Sequence, residues 1–218
     1  MSKKDIIIAG ASGHAKVIMD IFEKGSEYHI LGLLDKSRQA GEDFFGYKIL
    51  GKEEDLPQLV TGNSCQFFIA IGNNWRRSLV AAKIISFVPQ AQFVTAVHPS
   101  AQIGRGVHIG KGTAVMAGAI VNSDSHIGDF AIVNTNASVD HDCRLMNYSS
   151  VAPGAVLGGN VTVGEHTAVA IGATVKNDIM IGKHSIIGAA ALLNCNCADH
   201  AVMYGVPAKF IRSREAGE

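Results

Sequence analysis

The sequence predicts two successive architectures: an α/β domain with a parallel sheet, followed by a parallel β-helix. In the first hundred residues, short apolar runs alternate with helical patterns, and from Val97 onward an aliphatic residue recurs at every sixth position. The composition includes 24 Gly against nine Phe, four Tyr and one Trp, which favours turn-rich β structure with few large core side chains. We therefore divide the chain into residues 1–95, residues 96–200 and a C-terminal tail, residues 201–218.

Composition excludes several classes of protein. The 218 residues include 19 basic and 19 acidic side chains, so no basic field for nucleic acid is present. No segment approaches the roughly 20 apolar residues of a membrane helix, and the apolar run after Lys3 and Lys4 ends at Gly10, too early for a signal peptide. The four cysteines form no Cys-x-x-Cys pair, which indicates reduced thiols. We expect a cytoplasmic protein that binds neither nucleic acid nor membrane.

The first domain is predicted from three continuous apolar runs, which are typical of strands buried on both faces. A helical pattern follows the first run, with Val17, Ile18, Ile21 and Phe22 on one side, and a second helix is predicted over residues 75–87. Strands that alternate with helices indicate a parallel sheet covered by helices. The three runs are Asp5–Ala9, Ile30–Leu34 and Phe67–Ile71.

Each predicted strand ends in glycine or polar residues, and ligands bind beyond the carboxyl ends of such strands. Glycines at a strand-to-helix turn let backbone N–H groups approach a phosphate, which predicts a nucleotide or nucleotide-sugar pocket. The first turn lacks the full G-x-G-x-x-G fingerprint, so ordinary turn chemistry is the alternative, and His14 is either a ligand contact or a polar residue at the helix start. The turns are Gly10-Ala11-Ser12-Gly13-His14, Asp35-Lys36 and Gly72-Asn73-Asn74, with Arg76 and Arg77 just after.

The second domain is predicted from a strict period of six. Seventeen positions from Val97 to Leu193, each six residues after the last, are all Val, Ile or Leu. The position four residues later is Ala, Ser, Thr or Cys in fourteen of the seventeen hexads. This is the pattern of a hexapeptide β-helix, in which three hexads close one triangular coil. Each aliphatic side chain fills the interior of one face, and a small side chain fills the narrow space beside it.

The position directly after each aliphatic residue is Gly seven times and Asn three times. Because both residues tolerate a left-handed backbone, we expect the corners of the prism at this position. The register never breaks between Val97 and Leu193, so we expect no external loop there.

The candidate chemistry on the prism centres on His141, which stands between Asp140 and Asp142. A carboxylate partner raises the basicity of an imidazole and fixes its tautomer, as a general base requires. Gly159 follows His141 by three hexads, which is one full coil, so its N–H is a candidate oxyanion donor, and Asn134 offers an amide for positioning. The alternative is a surface histidine paired with two acids.

Two further histidine pairs, His108 with His126 and His166 with His184, are also one coil apart and are expected to stack. Neither pair has a third histidine, so no metal site is predicted. Cys143 occupies a small-residue position and is expected to lie inside the prism, inert.

Taken together, several motifs resemble the sialic-acid O-acetyltransferase family, and within it the bacterial UDP-amino-sugar N-acetyltransferases. The motifs follow the family's order along nearly the whole chain. They are Gly-Ala-Ser-Gly-His14-Ala-Lys, Leu-Leu-Asp35, Ala-Ile-Gly72-Asn-Asn with Arg77 after it, His98-Pro-Ser-Ala, Asn134-Thr, Asp140-His141-Asp142-Cys143, Ala-Pro-Gly154-Ala and Gly205-Val-Pro-Ala-Lys209.

The resemblance implies a Rossmann-like first domain, a left-handed β-helix, and a homotrimer with active sites between subunits. The expected reaction is acetyl transfer from acetyl-CoA to the C4 amine of a UDP-4-amino-4,6-dideoxy-N-acetylhexosamine, as in the bacillosamine pathway. His141 is expected to be the general base, tuned by Asp142 with Asp140 as the rival partner, and Asn134 completes the catalytic set. The expected UDP-sugar contacts are Gly10, Ser12, Gly13, His14, Asp35, Lys36, Gly72, Asn73 and Arg77.

The resemblance also implies a groove for acetyl-CoA along the prism, lined by Gly159, Ile171 and Ala189, with Lys209 near the nucleotide end. Many relatives have a second histidine where this chain has Ser150, which is therefore expected to be a weaker acetyl-CoA contact. Two alternatives remain open: an O-acetyltransferase acting on sialic acid or a related sugar, and a non-catalytic scaffold that binds a nucleotide sugar. The residues alone do not decide between an amine and a hydroxyl acceptor.

Overall fold

The computed structural model describes residues 3–25, 27–60 and 65–215. The chain forms two compact units, Met1–Ala96 and Val97–Glu218, and each has its own core. The first unit is an α/β domain, and the second is a parallel β-helix, as the sequence predicts.

The N-terminal unit contains a six-stranded sheet in the order β3-β4-β2-β1-β5-β6. Strands β1, β2, β4, β5 and β6 pair in parallel, and β3 pairs with β4 in an antiparallel hairpin. The strands are β1 (Lys4–Ala9), β2 (Tyr28–Leu34), β3 (Asp43–Phe44), β4 (Tyr47–Gly51), β5 (Gln66–Ile69) and β6 (Gln92–Phe93), and the helices are α1 (Gly13–Gly25), α2 (Leu56–Leu59) and α3 (Asn74–Phe87).

Strand β1 is the centre of this unit because it pairs with β2 on one side and β5 on the other. Ile6, Ile7 and Ile8 are 0–1% exposed, which explains the continuous apolar run. Helix α1 buries Ile18, Ile21 and Phe22 as predicted, but Val17 is 40% exposed and Met19 takes its place in the core. The buried face of α1 is therefore rotated slightly about the helix axis from the face that the sequence pattern predicts.

The second unit is a three-sided prism whose faces are parallel sheets of two-residue strands. The first face contains β7 (Ala96–Val97), β10 (Ala114–Val115), β13 (Ile132–Val133), β16 (Ser150–Val151), β19 (Ala168–Val169), β22 (Ile186–Ile187), β24 (Ala201–Gly205) and β25 (Ala208–Ser213). The second face contains β8 (Gln102–Ile103), β11 (Ile120–Val121), β14 (Ser138–Val139), β17 (Val156–Leu157), β20 (Thr174–Val175) and β23 (Leu192–Leu193). The third face contains β9 (His108–Ile109), β12 (His126–Ile127), β15 (Arg144–Leu145), β18 (Thr162–Val163) and β21 (Met180–Ile181).

Each strand pairs with the strand three hexads later, for example Ser138 with Val156 and Val139 with Leu157. The predicted coil of three hexads is therefore confirmed. The aliphatic positions from Val115 to Leu193 are 0–1% exposed, and the small residues beside them, such as Ala137 and Cys143, are buried too. We call the turn from the first to the second face the first corner, the turn from the second to the third face the second corner, and the next turn the third corner.

The expected position of the left-handed backbone is wrong by two residues. Positive φ angles occur three positions after the aliphatic residue, as at Asp124 (59°), Asp142 (58°) and Asn160 (57°). The glycines directly after the aliphatic residues serve another purpose. A Cβ added at Gly158 would lie 2.7 Å from the backbone nitrogen of Asn177 on the next coil. This position is glycine-rich because successive coils pack there backbone to backbone.

A column of stacked rings runs along the third corner and onto the C-terminal end of the prism. The predicted stacks of His166 on His184 and of His108 on His126 are present, with ring centroids 4.8 and 4.6 Å apart. The third-corner column continues through Phe130 and Tyr148 at one end and His200 at the other. Strands β24 and β25 form an antiparallel hairpin that extends the first face through pairing of β24 with β22.

Candidate active site

His141 and Asp142 form a hydrogen-bonded pair at the second corner of the prism. Nδ1 of His141 lies 2.7 Å from Oδ2 of Asp142, and both side chains are 60% exposed. The hydrogen bond to Asp142 and then the charge of Asp140 raise the pKa of His141 above its usual 6.5. Because Nδ1 is engaged, the opposite ring nitrogen, Nε2, is the one available to accept a proton from a substrate.

Asp140 has a different task from Asp142. Its Oδ1 accepts hydrogen bonds from Nδ2 of Asn122, at 2.9 Å, and from the backbone N–H of His141, at 2.8 Å. The hydrogen bond from Asn122 lowers the pKa of Asp140, so it stays ionised as a fixed negative charge. The geometry therefore favours Asp142 as the ring partner of His141 and Asp140 as a backbone tether. Asn122, missed in the sequence, lies one coil before Asp140, and the six-residue period is the signal that could have found it.

Gly159 lies under the imidazole of His141. A Cβ added at Gly159 would stand 2.6 Å from Cε1 and 2.7 Å from Nε2 of His141, so only glycine leaves room for the ring. Across residues 3–25, 27–60 and 65–215, the backbone N–H of Gly159 has no hydrogen-bond acceptor. It is therefore free to stabilise an oxyanion on a substrate bound at His141.

Cys143 is buried beside this pair, as the sequence predicts. Its Sγ donates to the carbonyl oxygen of Gly158 at 3.2 Å and accepts from the N–H of Val161 at 3.4 Å. Burial raises the pKa of the thiol, which keeps it protonated. The side chain stabilises the coil and is unsuited to act as a nucleophile.

The other predicted prism residues lie away from His141 within one protomer. Asn134, Ile171 and Ala189 occupy the first corner, across the second face from His141. Ser150 lies on the first face in β16, and Lys209 is exposed on β25 of the hairpin. The side chain of Asn134 accepts from the N–H of Thr135 at 2.8 Å and makes no contact with His141. A single protomer thus brings together only His141, Asp142 and Gly159 of the predicted set.

The three predicted turns of the N-terminal unit meet at the carboxyl edge of its sheet. Gly10 has a φ of 110°, and a Cβ there would lie 2.8 Å from the carbonyl oxygen of Ala70, so the turn requires glycine. Helix α1 begins at Gly13. A Cβ added at Gly13 would meet nothing within 4 Å, so the space beside this residue is open. The backbone N–H groups in the first turn of α1, next to Ser12, have no acceptor within the helix. They can therefore donate hydrogen bonds to a phosphate. Lys36 is exposed at the same edge.

Two of the predicted contacts at this edge, Asp35 and Asn73, form hydrogen bonds within the turns themselves. Asp35 accepts hydrogen bonds from the N–H groups of Ala11, at 2.9 Å, and Ser37, at 2.8 Å. Asn73 caps α3 by accepting from the N–H of Arg76.

Arg77 is 1% exposed and donates to the carbonyl oxygens of Ile71, at 2.9 Å, and Gly72, at 3.1 Å. The sequence predicts a direct ligand contact for this residue. The structure instead favours a positioning role, in which the guanidinium holds the Gly72 turn.

His14 lies next to the Gly72 turn. A Cβ on Gly72 would come within 3.8 Å of Nδ1 of His14, and Nε2 of His14 is buried without a hydrogen-bond partner in the described part of the chain. Burial and the charge of Arg77 lower the pKa of His14 to about 4, so the ring is neutral at physiological pH. A neutral imidazole can donate or accept one hydrogen bond there, but it adds no positive charge for a phosphate.

A cluster of cations on aromatic rings lies at this edge, and no sequence motif predicts it. The guanidinium of Arg38 lies 4.6 Å from the ring centroid of Phe44, and its Nε donates to the carbonyl oxygen of Ala11. Nζ of Lys16 lies 5.4 Å from the ring of Phe45. No motif links these residues in the sequence, because the β3–β4 hairpin brings them together.

Among residues 3–25, 27–60 and 65–215, no three His, Cys, Asp or Glu side chains converge as metal ligands. In the same residues, no helix is both long and apolar enough to cross a membrane. All four cysteines are free thiols.

Comparison with known proteins identifies relatives of this chain. Residues 5–84 match the family model of the PglD N-terminal domain. UDP-N-acetylbacillosamine N-acetyltransferase of Bacillus subtilis (strain 168) is 34% identical over 117 residues, and the match covers 52% of this chain and 52% of that enzyme.

Several solved structures match nearly the whole chain, including the following two. PerB of Caulobacter crescentus, solved with CoA and GDP-perosamine, is 34% identical over 97% of this chain and 99% of its own, with a TM-score of 0.89. The acetyltransferase domain of PglB from Neisseria gonorrhoeae, solved with acetyl coenzyme A, is 30% identical over 96% of this chain and 100% of its own, with a TM-score of 0.88. With its Rossmann-like first unit, its left-handed β-helix and these matches, the chain belongs to the hexapeptide-repeat family of sugar N-acetyltransferases.

Proposed function

We propose that this protein transfers the acetyl group of acetyl-CoA to the C4 amine of a UDP-4-amino-4,6-dideoxy-N-acetylhexosamine. The observation that carries the proposal is the His141–Asp142 pair at 2.7 Å, with Gly159 directly beside the imidazole ring. These groups supply a base and an oxyanion donor at one point. The UDP-sugar relative of Bacillus subtilis and the CoA complexes of PerB and PglB support both co-substrates.

In the proposed mechanism, the amine attacks the thioester carbonyl carbon while Nε2 of His141 removes one proton from the nitrogen. Asp142, hydrogen-bonded to Nδ1, stabilises the imidazolium that forms. The oxygen of the tetrahedral intermediate accepts a hydrogen bond from the Gly159 N–H. The C–S bond then breaks, and His141 returns its proton to the departing thiolate, giving the amide and free CoA. A thioester is already activated, so the buried, protonated Cys143 is not needed as a covalent nucleophile.

The N-terminal unit is proposed to hold the nucleotide. The turn from Gly10 to Gly13 leads into α1, and a phosphate at this helix N-terminus would accept hydrogen bonds from backbone N–H groups and gain from the helix dipole. Lys36 at the same edge supplies a positive charge for the diphosphate, while Asp35, Asn73 and Arg77 keep the turns in shape.

We also propose that the active enzyme is a homotrimer whose sites lie between neighbouring prisms. His141 and Gly159 occupy the second corner, whereas Asn134, Ile171 and Ala189 occupy the first corner of the same prism. Ile171 is 62% exposed, and an apolar side chain so exposed suits a contact with a neighbour or with the pantetheine arm. Packing the first corner of one copy against the second corner of the next would complete the predicted set. Because acetyl-CoA and sugar nucleotides are cytoplasmic metabolites, we place the reaction in the cytoplasm.

The test is CoA release from acetyl-CoA with four acceptors: a UDP-4-amino-4,6-dideoxy sugar, its GDP counterpart, free sialic acid and CMP-sialic acid. We expect turnover with the UDP sugar and a loss of roughly 10²–10⁴-fold in His141→Ala, the usual contribution of a positioned base. Turnover with the GDP sugar alone would correct the nucleotide, and turnover with sialic acid alone would replace N-acetylation by O-acetylation. A loss below tenfold in His141→Ala, with the trimer intact, would refute the assignment of the base.

A further inference from the structure

Cys143 bridges the two ends of the turn that carries Gly159. Its Sγ donates to the carbonyl oxygen of Gly158, at 3.2 Å, and accepts from the backbone N–H of Val161, at 3.4 Å. The side chain of Cys143 is 0% exposed, so water does not compete for these bonds. Within the part of the chain that the structure describes, no other group donates to the carbonyl oxygen of Gly158. The thiol is therefore the group that satisfies this oxygen.

The hydrogen bond from the thiol acts on the peptide unit that contains the proposed oxyanion donor. The carbonyl of Gly158 and the N–H of Gly159 belong to one planar trans peptide bond. In such a unit the two groups point in opposite directions, so a donor that holds the oxygen also fixes the direction of the N–H. The same bond polarises the peptide, which makes its N–H a stronger donor.

This peptide unit depends on an anchor because its own residues restrict it so little. Gly158-Gly159 is the only Gly-Gly pair in the sequence, and glycine has the widest range of backbone angles. Both glycines are required for packing. A Cβ at Gly158 would lie 2.7 Å from the backbone nitrogen of Asn177, and a Cβ at Gly159 would lie 2.6 Å from Cε1 of His141. Since no side chain can stiffen this turn, a hydrogen bond from outside it must do so.

The second corner has this kind of bridge at the two turns of the site. Ser125 makes the equivalent bonds to the turn of His141: its Oγ donates to the carbonyl oxygen of Asp140 at 2.7 Å and accepts from the N–H of Cys143 at 3.0 Å. Of the side chains at equivalent positions along this corner, only the hydroxyl and the thiol can form such a bridge. The positions are Val107, Ser125, Cys143, Val161 and Ile179.

We propose that Cys143 is a positioning residue for acetyl transfer, in which the hydrogen bond from its thiol to the carbonyl oxygen of Gly158 aims the N–H of Gly159 at the oxygen of the tetrahedral intermediate. The proposal rests on the acetyltransfer function proposed above. It gives the thiol a role that needs no covalent bond to sulfur, because the proton stays on Sγ throughout. Burial raises the pKa of this thiol, which keeps the proton in place.

The test compares three substitutions of Cys143 with the wild type. Cys143→Ala and Cys143→Val both remove the donor, but the first leaves a gap and the second fills it. Valine occupies the same position on the coils before and after, at Val107 and Val161, so the prism accepts it. Cys143→Ser restores a donor, and Ser125 shows that a hydroxyl at this position makes both bonds.

The matched control is Thr113→Ala, because Thr113 makes the same bridge at the third corner, away from His141. Its Oγ1 donates to the carbonyl oxygen of Gly128 at 2.7 Å and accepts from the N–H of Ala131 at 3.1 Å. Thr113→Ala should lower the stability toward urea but keep kcat within about twofold. It therefore measures what the loss of a bridge costs the prism without touching the site.

We expect kcat for CoA release to fall about 5- to 50-fold in both donor-free variants, which is part of the roughly 10²–10³-fold that loss of a whole oxyanion donor costs. The KM for either substrate should change less than about twofold. The pH at which kcat rises should not move, because the bond between His141 and Asp142 is untouched. Cys143→Ser should keep kcat within about threefold of the wild type.

Three results would overturn the proposal: kcat retained in either donor-free variant, an equal fall in Thr113→Ala, or a loss that Cys143→Ser does not recover. A thiol with a purely structural role would give one of these. If the wild type transfers acetyl to no acceptor, the proposed function fails separately, and the amide resonance of Gly159 in protein labelled with ¹⁵N-glycine then tests the positioning alone. A shift in both donor-free variants that Cys143→Ser reverses supports the proposal, and an unchanged resonance overturns it.

Discussion

The contact between His141 and Gly159 gives the sharpest prediction about the active site. In Gly159→Ala, the new Cβ would stand 2.6 Å from Cε1 and 2.7 Å from Nε2 of the imidazole, whereas ordinary contacts begin at 3.4 Å. Gly159 has a backbone outside the left-handed region, so alanine can adopt its conformation and the coil should fold. The alanine also keeps the backbone N–H, and with it the proposed oxyanion donor. The substitution therefore perturbs only the position of the base.

The size of the effect follows from the geometry. The imidazole must move by roughly 1 Å, and a displacement of that size costs on the order of 10²-fold in rate when it misplaces a catalytic group. The same movement strains the 2.7 Å hydrogen bond between Nδ1 and Asp142, which is the main reason that the pKa of His141 is raised. The pKa of His141 should then fall toward its usual 6.5.

The assay is the pH dependence of kcat, with CoA release as the readout and Gly154→Ala as the control. Gly154 has a φ of 66° and open space around it, and Ala190 adopts the same backbone at the equivalent position. We expect Gly154→Ala to lose about 1 kcal/mol of stability and to keep its kcat within twofold. If Gly159→Ala retains kcat within threefold and an unchanged pH profile, then the ring does not occupy this position in the active enzyme, and the reasoning is refuted.

Two further predictions concern the carboxylates and the buried arginine. A general base acts when it is unprotonated, so kcat should rise with pH through the raised pKa of His141. Asp142→Asn should shift this rise to lower pH and reduce kcat about 10- to 100-fold, whereas Asp140→Asn should lower kcat less. Equal pH shifts in both variants would contradict the assignment of Asp142 as the partner of His141. Arg77→Met should destabilise the N-terminal unit by about 2–4 kcal/mol in urea unfolding, because the carbonyl oxygens of Ile71 and Gly72 lose a buried charged donor; weaker nucleotide binding at unchanged stability would instead indicate a direct ligand contact.

The sequence predicted the prism accurately because every coil solves the same packing problem. One aliphatic residue must fill each face, so a register of six residues fixes the pairing of positions such as Ser138 and Val156. The same register predicts Gly159 beneath His141, and it also places Asn122 next to Asp140, with a hydrogen bond of 2.9 Å between them. In a β-helix, residues that are three hexads apart in the sequence contact each other in space. The sequence of an ordinary globular domain has no such fixed spacing between contacting residues.

The N-terminal unit was predicted less completely because its contacts are not periodic. Its parallel strands are clear from apolar runs, but the β3–β4 hairpin, which brings Phe44 under Arg38, has no pattern that identifies its neighbours. Likewise, an arginine after a Gly-Asn-Asn turn resembles a phosphate ligand in the sequence. Only the fold shows that Arg77 turns inward to bind carbonyl oxygens of its own turn.

The choice between Asp140 and Asp142 shows what backbone geometry adds to a motif. The sequence places one carboxylate on each side of His141, and both are equally near along the chain. Asp142 stands at the left-handed position of the second corner, with a φ of 58°, as Asp124, Asn160 and Asp178 do on other coils. At this left-handed residue the chain turns from the second face to the third, and its carboxylate contacts Nδ1 of His141, while the carboxylate of Asp140 accepts a hydrogen bond from Asn122 on the coil before. Asp and Asn tolerate this backbone in any coil, so the corner that the prism requires also provides the partner that a general base requires.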